Sequence, residues 1–177
     1  MSGGEVLIKV TIWVAIAGYF AGAAAFALAR GRRRWDSFAR LAWTAACVAL
    51  LAHVASAFHF QHGWSHGAAY RETARQTEEV FGLDWGGGLY INYALMAGWV
   101  VDVGWWWGRG LDAYRRRPLL TSAWHAFLLF IVFNATVVFK DGFVRWAGLG
   151  LCLALCLAWL AGRAGRARLR TKTHGLS

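Results

Sequence analysis

VLIKVTIWVAIAGYFAGAAAFALARGRRR, residues 6–34, decides how the rest of the chain is read. Its AFALA end looks like the small-residue cleavage site of a secretory leader. Two features argue for a retained span instead. The apolar run is far longer than the 7–15 residues of a leader core. It also runs straight into Arg30, Arg32, Arg33 and Arg34, which resist translocation. Val6 to Ala29 is therefore expected to cross a bilayer, which takes about 20 apolar residues.

The same reading extends along the chain. Hydrophobic residues make up 58% of it and charged residues only 16%, with twelve Trp and one Pro, a composition too apolar for an ordinary soluble domain. Four further runs are long enough to span: 38–60, 89–107, 119–139 and 143–161. The last two are separated only by Lys140, Asp141 and Gly142, so they form a tight antiparallel pair or, less simply, one broken segment. The expected fold is an all-α integral membrane protein. It is a single-domain bundle of five transmembrane helices with a partly helical outer loop at 61–88 and a basic cytoplasmic tail at 162–177.

Charge sets the orientation. The net charge is +10, and 14 of the 19 Lys and Arg fall in three clusters, at 30–40, 109–117 and beyond Ala161. Five alternating helices place all three clusters on one side. The positive-inside rule makes that side the cytoplasm of a cell (inner) membrane, with the N-terminus outside. The clusters face anionic lipid headgroups. No nucleic-acid recognition motif accompanies them, so nucleic acid is not an expected partner.

Several features have plain structural readings. Trp35, Trp43, Trp64, Trp85, Trp105 to Trp107 and Trp146 cluster at span ends, as an aromatic belt does. Gly18 and Gly22, flanked by Ala17, Ala21 and Ala25, give the first helix a small face for close packing, within the chain or with another subunit. Cys47, Cys152 and Cys156 all fall inside spans and read as small apolar residues.

The long outer loop is where loop-borne chemistry is expected. FHFQHGWSH, residues 58–66, holds His59, His62 and His66. If the second helix continues past Phe60, the three imidazoles share one face, and the HxxxH pair His62/His66 can grip one ion. Glu72, Glu78 and Glu79, and also Asp84, are the carboxylates able to complete the set. Imidazole with carboxylate suits Fe, Cu or Zn. The alternative is an aromatic membrane interface that also accommodates His. Downstream, Tyr70, Ala74, Thr77 and Phe81 fall on one stripe, predicting a helix over 68–82 that lies on the outer bilayer surface and stops at Gly82.

Polar residues inside spans are costly. Asp102 and His125 sit at similar depth and are expected to pair. His53, Asn92 and Asn134 form a second group nearer the outer side. Haem fits less well than a bare ion, because His53 and His125 lie at different depths for an axial pair. The chain has one HxxxH and no HxxHH, which departs from the histidine boxes of membrane di-iron hydroxylases.

Two function classes follow. One is a membrane protein with a His-rich transition-metal or redox site at the outer surface. The other is a non-catalytic subunit or scaffold of a larger electron-transfer or transport assembly, with other membrane subunits as partners. Transport through the bundle would rest on Asp102 and His125. No nucleophile–base–orienter set is legible, so the sequence leaves enzymatic activity open.

Overall fold

The structure, a computed structural model, describes residues 2–29 and 32–174, with side chains through residue 164. Arg30, in the first basic cluster, lies outside the described residues, as do the side chains of Arg166, Arg168, Arg170 and Lys172 in the tail.

The described residues form helices and connecting turns, with no strand among them: α1 (Gly3–Leu28), α2 (Arg33–Phe60), α3 (His66–Phe81), α4 (Gly88–Gly108), α5 (Gly110–Arg115), α6 (Pro118–Phe133), a π-helical turn (Asn134–Val138) and α7 (Gly142–His174). The chain is thus an all-α membrane protein. Of these helices α1, α2, α6 with its π turn, and α7 are long and apolar enough to cross a bilayer. The expected third span, α4, has the length, 21 residues. Its Trp, Tyr and Gly residues and Asp102 make it less hydropathic than the other four.

Contacts divide the chain into two compact units, Met1–Ala17 with Thr44–Gly108 and Gly18–Trp43 with Arg109–Ser177. In the first unit, α1 and α2 run antiparallel. Phe60 covers Gly4, and the His53 ring meets the Ile8 carbonyl at 3.0 Å. α4 runs antiparallel to α2 as well. The Phe58 and Tyr93 rings lie 6.4 Å apart, and Trp107 Nε1 donates to Thr44 Oγ1 at 2.9 Å. Both contacts are fourteen residues apart on each helix, about 21 Å of axis at about 1.5 Å per residue. α3 packs on the start of α4 through Ala69 and Ala74, where Gly86 and Gly88 let the backbone approach Tyr70 and Thr73.

In the second unit the small face of α1 is used within the chain. A Cβ at Gly22 would sit 3.1 Å from the Trp43 backbone and ring. Trp43 is fully buried there, with its ring 5.7 Å from Tyr19. It belongs to the core rather than to an interfacial belt, and so does Trp106 of the first unit, at 1% exposure. Of the other belt positions, Trp35, Trp64, Trp85, Trp107 and Trp146 are exposed and Trp105 is half-buried. Cys47 and Cys152 are buried, Cys156 is exposed, and all three are free thiols.

α6 and α7 form the expected tight hairpin. Gly142, at φ 58°, reverses the chain, and Arg145 Nε donates to the carbonyls of Val137 and Lys140 at 3.0 and 2.9 Å. Fourteen residues before Thr136, Ser122 accepts from Arg163 at 2.8 Å, so the helices run side by side as two segments, not one broken one. The last turn of α6 widens to π geometry, with Phe139 N bonded to Asn134 O at 3.0 Å. This brings Thr136 onto Gly148, where an added Cβ would lie 2.6 Å from the Thr136 hydroxyl.

An ion pair joins two of the basic clusters within this unit. Arg115 Nη2 and Nη1 donate to Asp36 at 2.5 and 3.2 Å, and both side chains are under one-fifth exposed. The guanidinium also sits 5.0 Å over the Phe26 ring.

Two outcomes are expected in detergent unfolding measurements. Gly148→Ala should lower stability by about 1–3 kcal/mol, since Thr136 is hemmed in and cannot yield. Gly150→Ala, with nothing within 4 Å of its Cβ, should be close to neutral. Arg115→Met should cost about 3 kcal/mol by stranding Asp36, and Asp36→Asn should cost less, because Arg115 keeps Asp112 at 3.1 Å; the double variant should lose less than the sum.

Candidate functional site

The histidine run lies where α2 gives way to α3. α2 ends at Phe60, and Gly63 and Trp64 then take positive φ values of 53° and 61°. The glycine adopts this conformation freely; for Trp64 it is uncommon and marks a sharp reversal. Ser65 then caps α3, its hydroxyl accepting from Ala68 N at 3.2 Å. The premise of a continuing α2 therefore fails, and with it the shared three-imidazole face. His59 sits in the last turn of α2, His62 lies in the turn that follows and His66 opens α3.

Each ring has a different aromatic neighbour. Trp64 Nε1 donates to His59 Nδ1 at 3.2 Å. The His62 ring meets Phe58 edge-on at 5.8 Å. His66 Nδ1 is in hydrogen-bond contact with the Tyr93 hydroxyl at 3.1 Å, and its Nε2 more weakly with that of Tyr90 at 3.5 Å. Among the described residues, no three His, Cys, Asp or Glu side chains converge as a ligand group.

Of the candidate carboxylates, two are engaged by one arginine. Arg75 donates to Glu72 through Nε at 3.0 Å and Nη2 at 2.6 Å, and to Glu79 through Nη1. Gln76 adds a bond to Glu72 at 2.9 Å. These donors, Arg75 first, hold the Glu72 carboxyl below the usual range against the opposing effect of burial. The paired carboxylates in turn raise the Arg75 guanidinium. Glu78 is exposed; its carbonyl accepts from Gly82 N at 2.8 Å, where φ of 69° ends the helix as the sequence predicts. Asp84 is exposed in the following turn.

Beside this network lies an open depression of about 550 Å³, lined among others by Gln61, His62, Arg71 and Glu72. His62 and Glu72 both line this depression.

The intramembrane polar residues divide between the units. In the first, the Ile8 carbonyl can only accept, so His53 carries its hydrogen on Nδ1. Asp102 is 7% exposed, within electrostatic reach of Cys47, and Asn92 is exposed on α4. In the second, Asn134 returns its amide to Phe130 O of its own helix at 2.8 Å. Of the expected His53–Asn92–Asn134 group, His53 and Asn134 each bond a backbone carbonyl. His125 is 5% exposed and ringed by Trp159, Trp43, Phe26 and Tyr114 at centroid distances of 4.9, 5.2, 5.3 and 6.2 Å.

Sequence reasoning missed two sets of partners. Tyr90 and Tyr93 are three apart at the start of α4, a helical spacing that presents both hydroxyls to one neighbour. Asp36 is the sole acid in a cluster of five arginines, which marks it as an ion-pair acceptor. Compared with known protein families, curated proteins and solved structures, the chain matches none.

The Glu72 shift has a definite pH sign. A depressed carboxyl contributes stability that is full above its unfolded pKa, near 4.3, and fades as pH falls through the lower folded value. Protection factors of the α3 amides, referred to the intrinsic exchange rate at each pH, should therefore fall on acidification below about pH 4, and Glu72→Gln should flatten that dependence.

Proposed function

We propose that this chain is a multi-pass, non-catalytic subunit of a larger cell-membrane assembly. The reading is carried by where its polar side chains go. His53 and Asn134 serve backbone carbonyls, His59 and His66 serve Trp64 and Tyr93, Arg75 ties Glu72 to Glu79, and His125 fills an aromatic enclosure. His53 and His66 tie one helix to another, whereas Asn134 and Arg75 serve their own helices. Such an investment suits a rigid membrane scaffold.

In this reading the chain crosses five times, with α3 outside, the N-terminus outside and the C-terminus in the cytoplasm. The antiparallel course of α4 along α2 supports α4 as the fifth crossing. The Asp36–Arg115 pair supports a common side for the first two basic clusters.

A second reading is favoured by one observation. His62 and Glu72 line one depression, so this pair is the place for a surface transition-metal ion, with the remaining ligands supplied by solvent or a partner. Glu72 would have to exchange Arg75 for the metal.

One preparation separates the readings: mild-detergent purification from native membranes, followed by protein and elemental analysis. The subunit reading expects further chains in fixed stoichiometry and a metal content unmoved by His62→Ala with His66→Ala. It is overturned by a lone chain carrying about one Fe, Cu or Zn per molecule that His62→Ala removes.

A further inference from the structure

α3 is two-sided, but its apolar side is only partly covered. Its first turns lie on the start of α4, with Ala69 and Ala74 buried and Tyr70 against Gly86. Its charged side, Arg71, Arg75, Glu78 and Glu79, faces away. The last turn extends beyond this contact. Val80 and Phe81 are 42% and 54% exposed, and after the left-handed Gly82 the chain presents Leu83 at 60% and Trp85 at 51%. Four large apolar side chains within six residues are thus about half exposed on a segment that is otherwise polar outside.

We infer that this edge is a membrane-surface anchor: Val80, Phe81, Leu83 and Trp85 insert into the headgroup–acyl boundary of the bilayer, while the Arg75 network stays in water. Two observations select lipid as the occupant. The segment follows α3, which itself starts directly after the spanning helix α2, and Phe60 and Trp64 at that end of α2 are likewise exposed, at 53% and 65%. Charge is also segregated to the opposite side of α3, the pattern of an interfacial helix whose apolar face sits about 5–10 Å into the boundary. The inference needs only that α2 crosses the bilayer, and it stands whether the chain is a subunit or a metal carrier.

The test uses the native sequence in vesicles doped with a phospholipid bearing a diazirine on its acyl chain. After photolysis, adducts are mapped by mass spectrometry. Adducts at residues 80–85, several-fold above those at 71–79, are expected. Adducts confined to the spanning helices would overturn the inference. Nitroxides at Gln76, Phe81 and Leu83, on a chain with its three cysteines replaced, give a second readout. Phe81 and Leu83 should favour collisions with oxygen over a water-soluble nickel chelate, and Gln76 the reverse. Equal nickel access at all three, or spin–spin broadening that vanishes on dilution with unlabelled chain, would overturn it; the latter would mean that a second copy covers the patch.

Discussion

In a bilayer core no water is available to bond a stray N–H, C=O or hydroxyl, so every polar group must be satisfied by the protein. Most of this structure follows from that constraint. The backbone is helical throughout the spans because a helix closes its own hydrogen bonds. The hydroxyls obey the same rule locally. Thr11 bonds Leu7 O, Ser56 bonds Ala52 O and Thr136 bonds Val132 O, each at 2.7 Å along its own helix. His53 meets the constraint by bridging to α1, and Asn134 by folding back on α6.

Once polar groups are satisfied internally, helix association depends on close packing, since lipid is as apolar as the side chains themselves. Two of the close approaches are built alike. A glycine on one helix receives a bulky or branched residue from another, Gly22 under Trp43 and Gly148 under Thr136. The π turn ahead of the last hairpin belongs to this logic. One extra residue in the turn rotates Thr136 into the groove at Gly148, and Arg145 then caps the carbonyls that the wider turn releases.

The spans were legible because length and hydropathy are properties of composition, and composition does not depend on neighbours. α3 and its Gly82 stop were legible for a related reason: amphipathic periodicity and a glycine cap are local signals. The histidine site was less so. Its geometry turned on whether α2 passes Gly63, a backbone choice that spacing alone does not fix, and the left-handed Trp64 is not a conformation its residue type announces. Partners drawn from distant helices were invisible for the same reason. Depth counted along a helix says which residues share a level, not which face each turns, so His53 and Asn134 at similar expected depth were spent on different carbonyls.

Where the chain leaves the apolar core, the governing constraint relaxes, and the chemistry of its side chains changes with it. On α3 a carboxylate can be exposed, so Arg75 holds Glu72 and Glu79 in a network that water competes with. At Asp36 and Arg115, with both side chains largely buried, an ion pair of similar composition is held with its guanidinium over the Phe26 ring and has far less water to turn to. The same two residue types thus give a labile surface network in one place and a fixed strut in the other. The histidines divide in the same way. Among the described histidines, His125 is enclosed and half-buried His53 is bonded to a backbone carbonyl, whereas His62 is partly exposed and lines a depression with Glu72.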